Sequence, residues 1–196
     1  MRSHIGSSKP PHAVQLNRPL RQLGTHHGNS FVSIRLLDKT RCVNRVVIFG
    51  RGGSGKSTLA RRLAAITRLP LIELDKEFWN DELEVLPGAL WAQRQHDLAS
   101  ADRWIMDGDL GPYDDVEPRL NRADTVIILD MSLWRCAWRA ARRGRERRDF
   151  WKWTIRWRRV SRPQLLAEIG AHASQAEIRT FHTPAAVEVW LEQAQG

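Results

Sequence analysis

From Val46 onward, short uninterrupted apolar runs alternate with stretches whose apolar residues recur every three or four positions. Arg45–Phe49 reads as a buried strand, because no polar residue interrupts Val46–Phe49. In 56–68, Leu59, Leu63 and Ile66 fall on one face of a predicted helix. Leu69–Asp75 and Arg103–Asp109 read as the second and third strands, each ending in an acid. Ala123–Asp130 reads as the fourth strand and Ala176–His182 as the fifth. Between them the pattern predicts one helix from near Pro87 and an arginine-rich helix behind Ser132 as N-cap. Asp130 also reads as a cap for that helix. A last helix is predicted behind Thr183, with Pro184 in its first position. Strands alternating with helices predict an α/β, three-layer fold: a mostly parallel sheet of about five strands with helices on both faces.

Residues 1–43 lack this periodicity and are rich in Ser, Pro, His, Gly and Arg. They read as a disordered basic tail before a domain spanning 44–196. Ser30–Leu37 is the one stretch of the tail that reads as a short strand or helix. The tail has the arginine-rich, acid-poor composition of an organellar transit peptide, but not the apolar core of a secretory signal. No apolar run approaches the roughly 20 residues that span a bilayer, which argues against a membrane protein. Cys42 and Cys136 form no CxxC pair, and both read as structural thiols of a reduced, cytoplasmic protein.

Charge sharpens this division. The chain of 196 residues carries a formal +9, but residues 1–45 hold eight Lys/Arg against Asp38 alone. Residues 135–162 hold twelve more against Glu146 and Asp149. The remainder of the domain is therefore acidic. A uniformly basic nucleic-acid-binding surface does not fit this distribution.

Gly50-Arg51-Gly52-Gly53-Ser54-Gly55-Lys56-Ser57, followed by Thr58, matches G-x-x-x-x-G-K-[ST] at every fixed position. Glycines let the backbone take positive φ and curl, so that successive N–H groups point into one concavity at a helix N-terminus. Such a Walker A loop cradles the phosphates of a nucleotide triphosphate, with Lys56 on the β- and γ-phosphates and Ser57 on Mg²⁺. ATP and Mg²⁺ are the expected ligands, held by residues 50–58.

The loop, together with "LPLIELDKEFW", "DRWIMDGD", "RLNRADTVIILD" and "RCAWRAARR", resembles the small P-loop kinases related to adenylate and shikimate kinase. It is most similar to a bacterial adenylate-kinase-like subgroup also called DNA topology modulation proteins. The likeness runs from about Arg45 to Leu191. It implies transfer of the γ-phosphoryl group of Mg-ATP to a small acceptor, a nucleoside monophosphate or a hydroxylated metabolite. It makes Asp107 the acid that orders magnesium, and Asp75 a catalytic base, a substrate-binding acid or a plain surface acid. It sets Arg139 on the adenine and Arg143 on the transferring phosphate, with a mobile lid over about 144–162. Arg135, Arg139 and Arg143 recur every four residues and so share a helix face. The chain departs from the subgroup where Asp107-Gly108-Asp109-Leu110 replaces Asp-Gly-Asn-Tyr. It also lacks the adenylate-kinase arginine for the AMP phosphate, for which Arg119 and Arg122 are the available substitutes.

A competing reading comes from Trp134, Trp138, Trp151, Trp153 and Trp157, interleaved with arginines. Aromatic platforms beside cations bind single-stranded nucleic acid, so an ATP-dependent nucleic-acid-binding switch is the alternative function. Trp153 and Trp157, four apart, read equally well as the buried face of a lid helix with Arg156, Arg158 and Arg159 outside.

Overall fold

The computed structural model describes residues 43–78, 87–110, 114–144 and 148–195. The tail and the Ser30–Leu37 segment lie outside the described residues. The elements run β1 (Arg45–Gly50), α1 (Lys56–Thr67), β2 (Leu71–Glu73), α2 (Leu74–Phe78), α3 (Gly88–Ala99), β3 (Trp104–Asp107) and α4 (Glu117–Leu120). They continue with β4 (Thr125–Leu129), α5 (Leu133–Arg143), α6 (Arg148–Arg156), α7 (Ser161–His172), β5 (Glu177–Phe181) and α8 (Pro184–Gln195). All strand pairs are parallel, in the order β2-β3-β1-β4-β5. The sequence-predicted α/β architecture is the observed one.

The central strands β1, β3 and β4 are buried along their lengths after Arg45, as apolar runs without alternation require. Val47, Phe49, Trp104, Met106, Val126 and Ile128 join one core with Trp91 of α3, Leu120 of α4 and Leu165 and Ile169 of α7. Helix α1 packs on the sheet with α8 beside it, and Arg62 pairs with Glu188 between these two helices. Register aligns the carboxyl ends: Ile48 lies opposite Asp107, and Gly50 opposite Leu129. The loops leaving β1, β2, β3 and β4 therefore share one edge of the sheet, where ligands of open α/β sheets bind.

Two expectations need correction. Asp75 does not end β2; it sits in the first turn of α2, because Leu74 and Phe78, four apart, turn the chain helical to bury both side chains. Asp130 does not cap α5. Ser132 occupies the N-cap position, though without a side-chain cap bond, and the Asp130 carboxylate instead takes the guanidinium of Arg158 at 2.8 Å and that of Arg162 at 3.2 Å. Helix α7 goes beyond the elements read from the sequence, and it contains Pro163. That proline stands in the first turn, where no intrahelical N–H bond is needed, while Leu165 and Ile169 bury one face. Thr183 acts as expected, its hydroxyl accepting the Ala186 N–H at 3.3 Å. Among the described residues, no helix is long and apolar enough to cross a membrane.

Candidate active site

Apolar β1 delivers its last residue, Gly50, to the sheet edge, and the chain then curls through Gly53 and Gly55 at φ of 78° and 103°. A side chain at either position would be strained, which is why glycine stands there. The Ser54 N–H closes a turn onto the Arg51 carbonyl at 3.2 Å. Helix α1 follows, with no acid in its first turn and no side-chain cap, so its N-terminal partial charge faces the loop uncompensated. The Lys56 ammonium folds back to donate to the Gly50 carbonyl at 2.7 Å and the Arg51 carbonyl at 3.4 Å.

Two helices wall this loop. A Cβ on Gly53 would strike the Cys136 carbonyl of α5, and one on Gly52 would overlap the Phe150 ring of α6. At Gly55 a Cβ would lie 3.0 Å from the Arg139 guanidinium. Arg139 also lines a cleft with Ser54, Gly55, Thr58, Pro184 and Val187. That cleft opens beside the phosphate loop on the β4–β5 side. Arg143 lies exposed in the last turn of α5, one turn beyond Arg139. The Trp153 ring of α6 faces the Lys56 ammonium at 6.0 Å.

On the β2–β3 side stand the acids. Asp107 ends β3, is only 5% exposed, and accepts a hydrogen bond from the Ser57 hydroxyl. Its Oδ1 has no hydrogen-bond partner. Burial raises the Asp107 pKa above the ordinary carboxylate range, against the Ser57 bond and the Lys56 charge, which lower it. The Asp75 pKa is raised too, first by desolvation in the surrounding protein, although the residue is exposed. Repulsion from Asp107, Asp114 and Asp109 adds to this, and Lys56 opposes it. Lys56, Ser57, Asp75 and Asp107 are thus one electrostatic group, assembled from three separate stretches of chain.

Among the described residues, no three acids, histidines or cysteines form a metal cage. Magnesium does not require one, since it keeps several waters and takes one or two carboxylates plus phosphate oxygens. The unpartnered Asp107 Oδ1 beside the Ser57 hydroxyl fits such a site.

Several contacts around the site had no local signal in the sequence. Arg51, a variable position of the loop motif, is buried over the Trp157 ring at 5.3 Å. Trp157 in turn donates its Nε1–H to Asp109 at 3.2 Å, joining the loop, the segment after α6 and the end of β3. Arg119 is fully buried and grips Asp114 with two bonds of 2.8 and 2.6 Å. Of the tryptophans, Trp157 is fully buried and Trp153 packs against the core. Trp134 and Trp138, by contrast, stand 86% and 46% exposed on α5.

No protein-family model and no curated protein sequence matches the chain. Solved structures do. A shikimate kinase from Acinetobacter baumannii, in complex with shikimate, matches with a TM-score of 0.53 at 14% identity, covering 77% of this chain and 90% of that one. A shikimate kinase from Bacteroides thetaiotaomicron matches with a TM-score of 0.50 at 17% identity, covering 79% and 97%. The chain shares their P-loop kinase fold. At these identities the likeness concerns the fold, and chemistry has to be argued from the residues.

Proposed function

We propose that this protein is a phosphotransferase that moves the γ-phosphoryl group of Mg-ATP to a hydroxyl of a small acceptor. The observation that carries the reading is the joining of the phosphate loop to the Ser57–Asp107 pair, with Asp75 in the same electrostatic group. A loop that only bound nucleotide would not need a second acid across the cleft.

In this reading Lys56 leaves the Gly50 carbonyl to contact the β- and γ-phosphates, and the α1 N-terminus holds the anion with its N–H groups. Ser57 and Asp107 would hold Mg²⁺, which supplies neutralisation of the charge developing on the phosphates. Arg139 and Pro184 sandwich the base in the cleft they line. Arg143 lends positive charge toward the transferring group. Asp75 takes the hydrogen bond, and then the proton, of the attacking hydroxyl; its raised pKa strengthens it as a base. Phe150 and Trp153 of α6, set against Gly52 and Lys56, exclude water from the phosphates. The residues after β2, β3 and β4 support a relation to the adenylate-kinase-like subgroup of these kinases.

The test is ADP formation from Mg-ATP with and without hydroxylated acceptors and nucleoside monophosphates. One acceptor class should raise turnover well above the basal rate, and Lys56→Ala should lower that rate about 10²–10³-fold. Acceptor-independent turnover throughout the panel would sink the reading.

A second reading, nucleic-acid binding, is favoured by one observation. Exposed Trp134 and Trp138 sit four apart on α5, with the Arg142 guanidinium 4.8 Å from the Trp138 ring centroid. If that face stacks bases, oligonucleotide binding should weaken steeply with salt and be lost in Trp134→Ala.

A further inference from the structure

Helix α6 meets the phosphate loop along one face. Phe150, Trp153 and Thr154 fall at i, i+3 and i+4 and so share that face. The Phe150 ring covers Gly52, and the Trp153 ring faces the Lys56 ammonium at 6.0 Å. Ile155 and Arg156, on the other face, are exposed. Thr154 is fully buried, and a Cβ built on Gly52 would lie 3.0 Å from its Oγ1.

That hydroxyl is unsatisfied. A helical threonine commonly donates to the carbonyl four residues back, as Thr67 does to Leu63 at 2.7 Å. Thr154 Oγ1 is buried and has no hydrogen-bond partner among the described residues. A buried hydroxyl left unbonded destabilises a fold, and the methyl of valine would fill the same space without that cost. Packing therefore does not account for a threonine here. The loop brings unbonded donors to the same junction. The Arg51 guanidinium is 1% exposed, and its Nε and Nη2 also lack partners among the described residues. Trp157, three residues after Thr154, covers it at 5.3 Å. Burial lowers the Arg51 pKa, so its charge is held there at a cost. The N-terminus of α1, without a side-chain cap or an acid in its first turn, opens beside the loop. Unbonded donors from α6 and from the loop, next to a helix N-terminus, suit an anion.

The direction of the nucleotide selects the phosphate. The cleft proposed for the base adjoins Ser54, Gly55 and Thr58, the later part of the loop. A triphosphate that leaves this cleft and crosses Lys56 ends at Gly52, beneath α6.

We infer that Thr154 is a ligand of the terminal phosphate: its hydroxyl donates to a γ-phosphate oxygen of bound Mg-ATP, so that α6 distinguishes ATP from ADP. This rests on the phosphotransferase reading and adds a residue to its machinery. A hydroxyl bonded to a phosphate oxygen makes a charge-assisted hydrogen bond, one of the stronger kinds. ADP offers it no acceptor.

The experiment titrates the full chain calorimetrically with Mg-AMP-PNP, a non-hydrolysable ATP analogue, and with Mg-ADP. Thr154→Val keeps the shape of the side chain and removes the donor. It should weaken Mg-AMP-PNP about tenfold or more, as loss of one hydrogen bond to a charged group warrants, and change Mg-ADP by less than about twofold. Thr154→Ser restores the donor and should recover most of the analogue's affinity. Urea unfolding without nucleotide should place the midpoint of Thr154→Val at or above that of the parent. A lower midpoint would show the hydroxyl bonded within the protein and would overturn the inference. Equal losses for the two nucleotides would overturn the assignment to the terminal phosphate, and unchanged affinities would overturn the role of the hydroxyl. Both results leave the phosphotransferase reading standing. If the parent binds neither nucleotide, that reading falls, and this inference with it.

Discussion

On the β4–β5 side of the cleft, Arg139 and Pro184 line a gap together with Ser54 and Gly55 of the phosphate loop. On the β2–β3 side, Asp75, Asp107 and Asp109 gather with Lys56 as their nearby cation, while Lys76 and Arg119 are tied to other acids. One side carries the exposed arginines of α5; the other presents carboxylates. The contrast shows how the two flanks of a single sheet edge can carry opposite charge. The phosphate loop stands at the centre of that edge because β1 is the middle strand. Each partner is then selected by whatever its own flanking loops present.

The sharpest way to break this comparison is Arg119. If it served the acceptor, Arg119→Ala would raise an acceptor KM and leave the fold intact. The structure predicts the reverse: removing one partner of a buried ion pair should destabilise the protein by about 3–5 kcal/mol. Chemical denaturation of Arg119→Ala and Asp114→Ala measures it, and both should fall together. Arg139 tests the opposite half. Loss of a cation stacked on a base should raise the KM for ATP about tenfold, as one partly desolvated stacking contact warrants. The acceptor KM should stay within about twofold, which initial-rate kinetics on Arg139→Ala would show.

Asp107 sharpens the electrostatic side. Its folded-state pKa lies above the unfolded value, so between the two values the folded chain binds more protons, and stability falls as pH rises from about pH 4 through the raised pKa. Asp107→Asn should therefore be more stable than the parent at neutral pH, with the gap closing below about pH 4, even as turnover collapses. Urea titrations at both pH values decide it. Mg-ATP should stabilise the parent more than the variant. The smallest effect lies away from both halves. Arg68 ends α1 in the left-handed region at φ 57°, where glycine carries no Cβ penalty. Arg68→Gly should gain about 1 kcal/mol, with activity unaltered.

The phosphate-loop side was more legible than the β2–β3 side. The loop residues 50–58 could be read directly, because a phosphate cradle needs glycines, a lysine and a hydroxyl at fixed local spacing. Asp107 was legible as the acid ending an apolar run. Asp75 was found, but its setting was misread, because burial of Leu74 and Phe78 makes a helix where the apolar pattern suggested a longer strand. The Arg51–Trp157–Asp109 chain of contacts had no local signal, since its members lie far apart in sequence. The five tryptophans looked alike in a basic stretch. Packing separates them: Trp157 is buried, and Trp134 stands out in solvent.

The sequence by itself determined the alternation of strand and helix, the phosphate loop and the division of charge, because each follows from the chemistry of neighbouring residues. Which strands adjoin, which carboxylates crowd Asp75, and whether Arg119 is free or bound were decided only by the tertiary structure. Those are properties of residues brought together across the chain. Pairing and burial depend on the three-dimensional surroundings of a charge, and no local pattern encodes them.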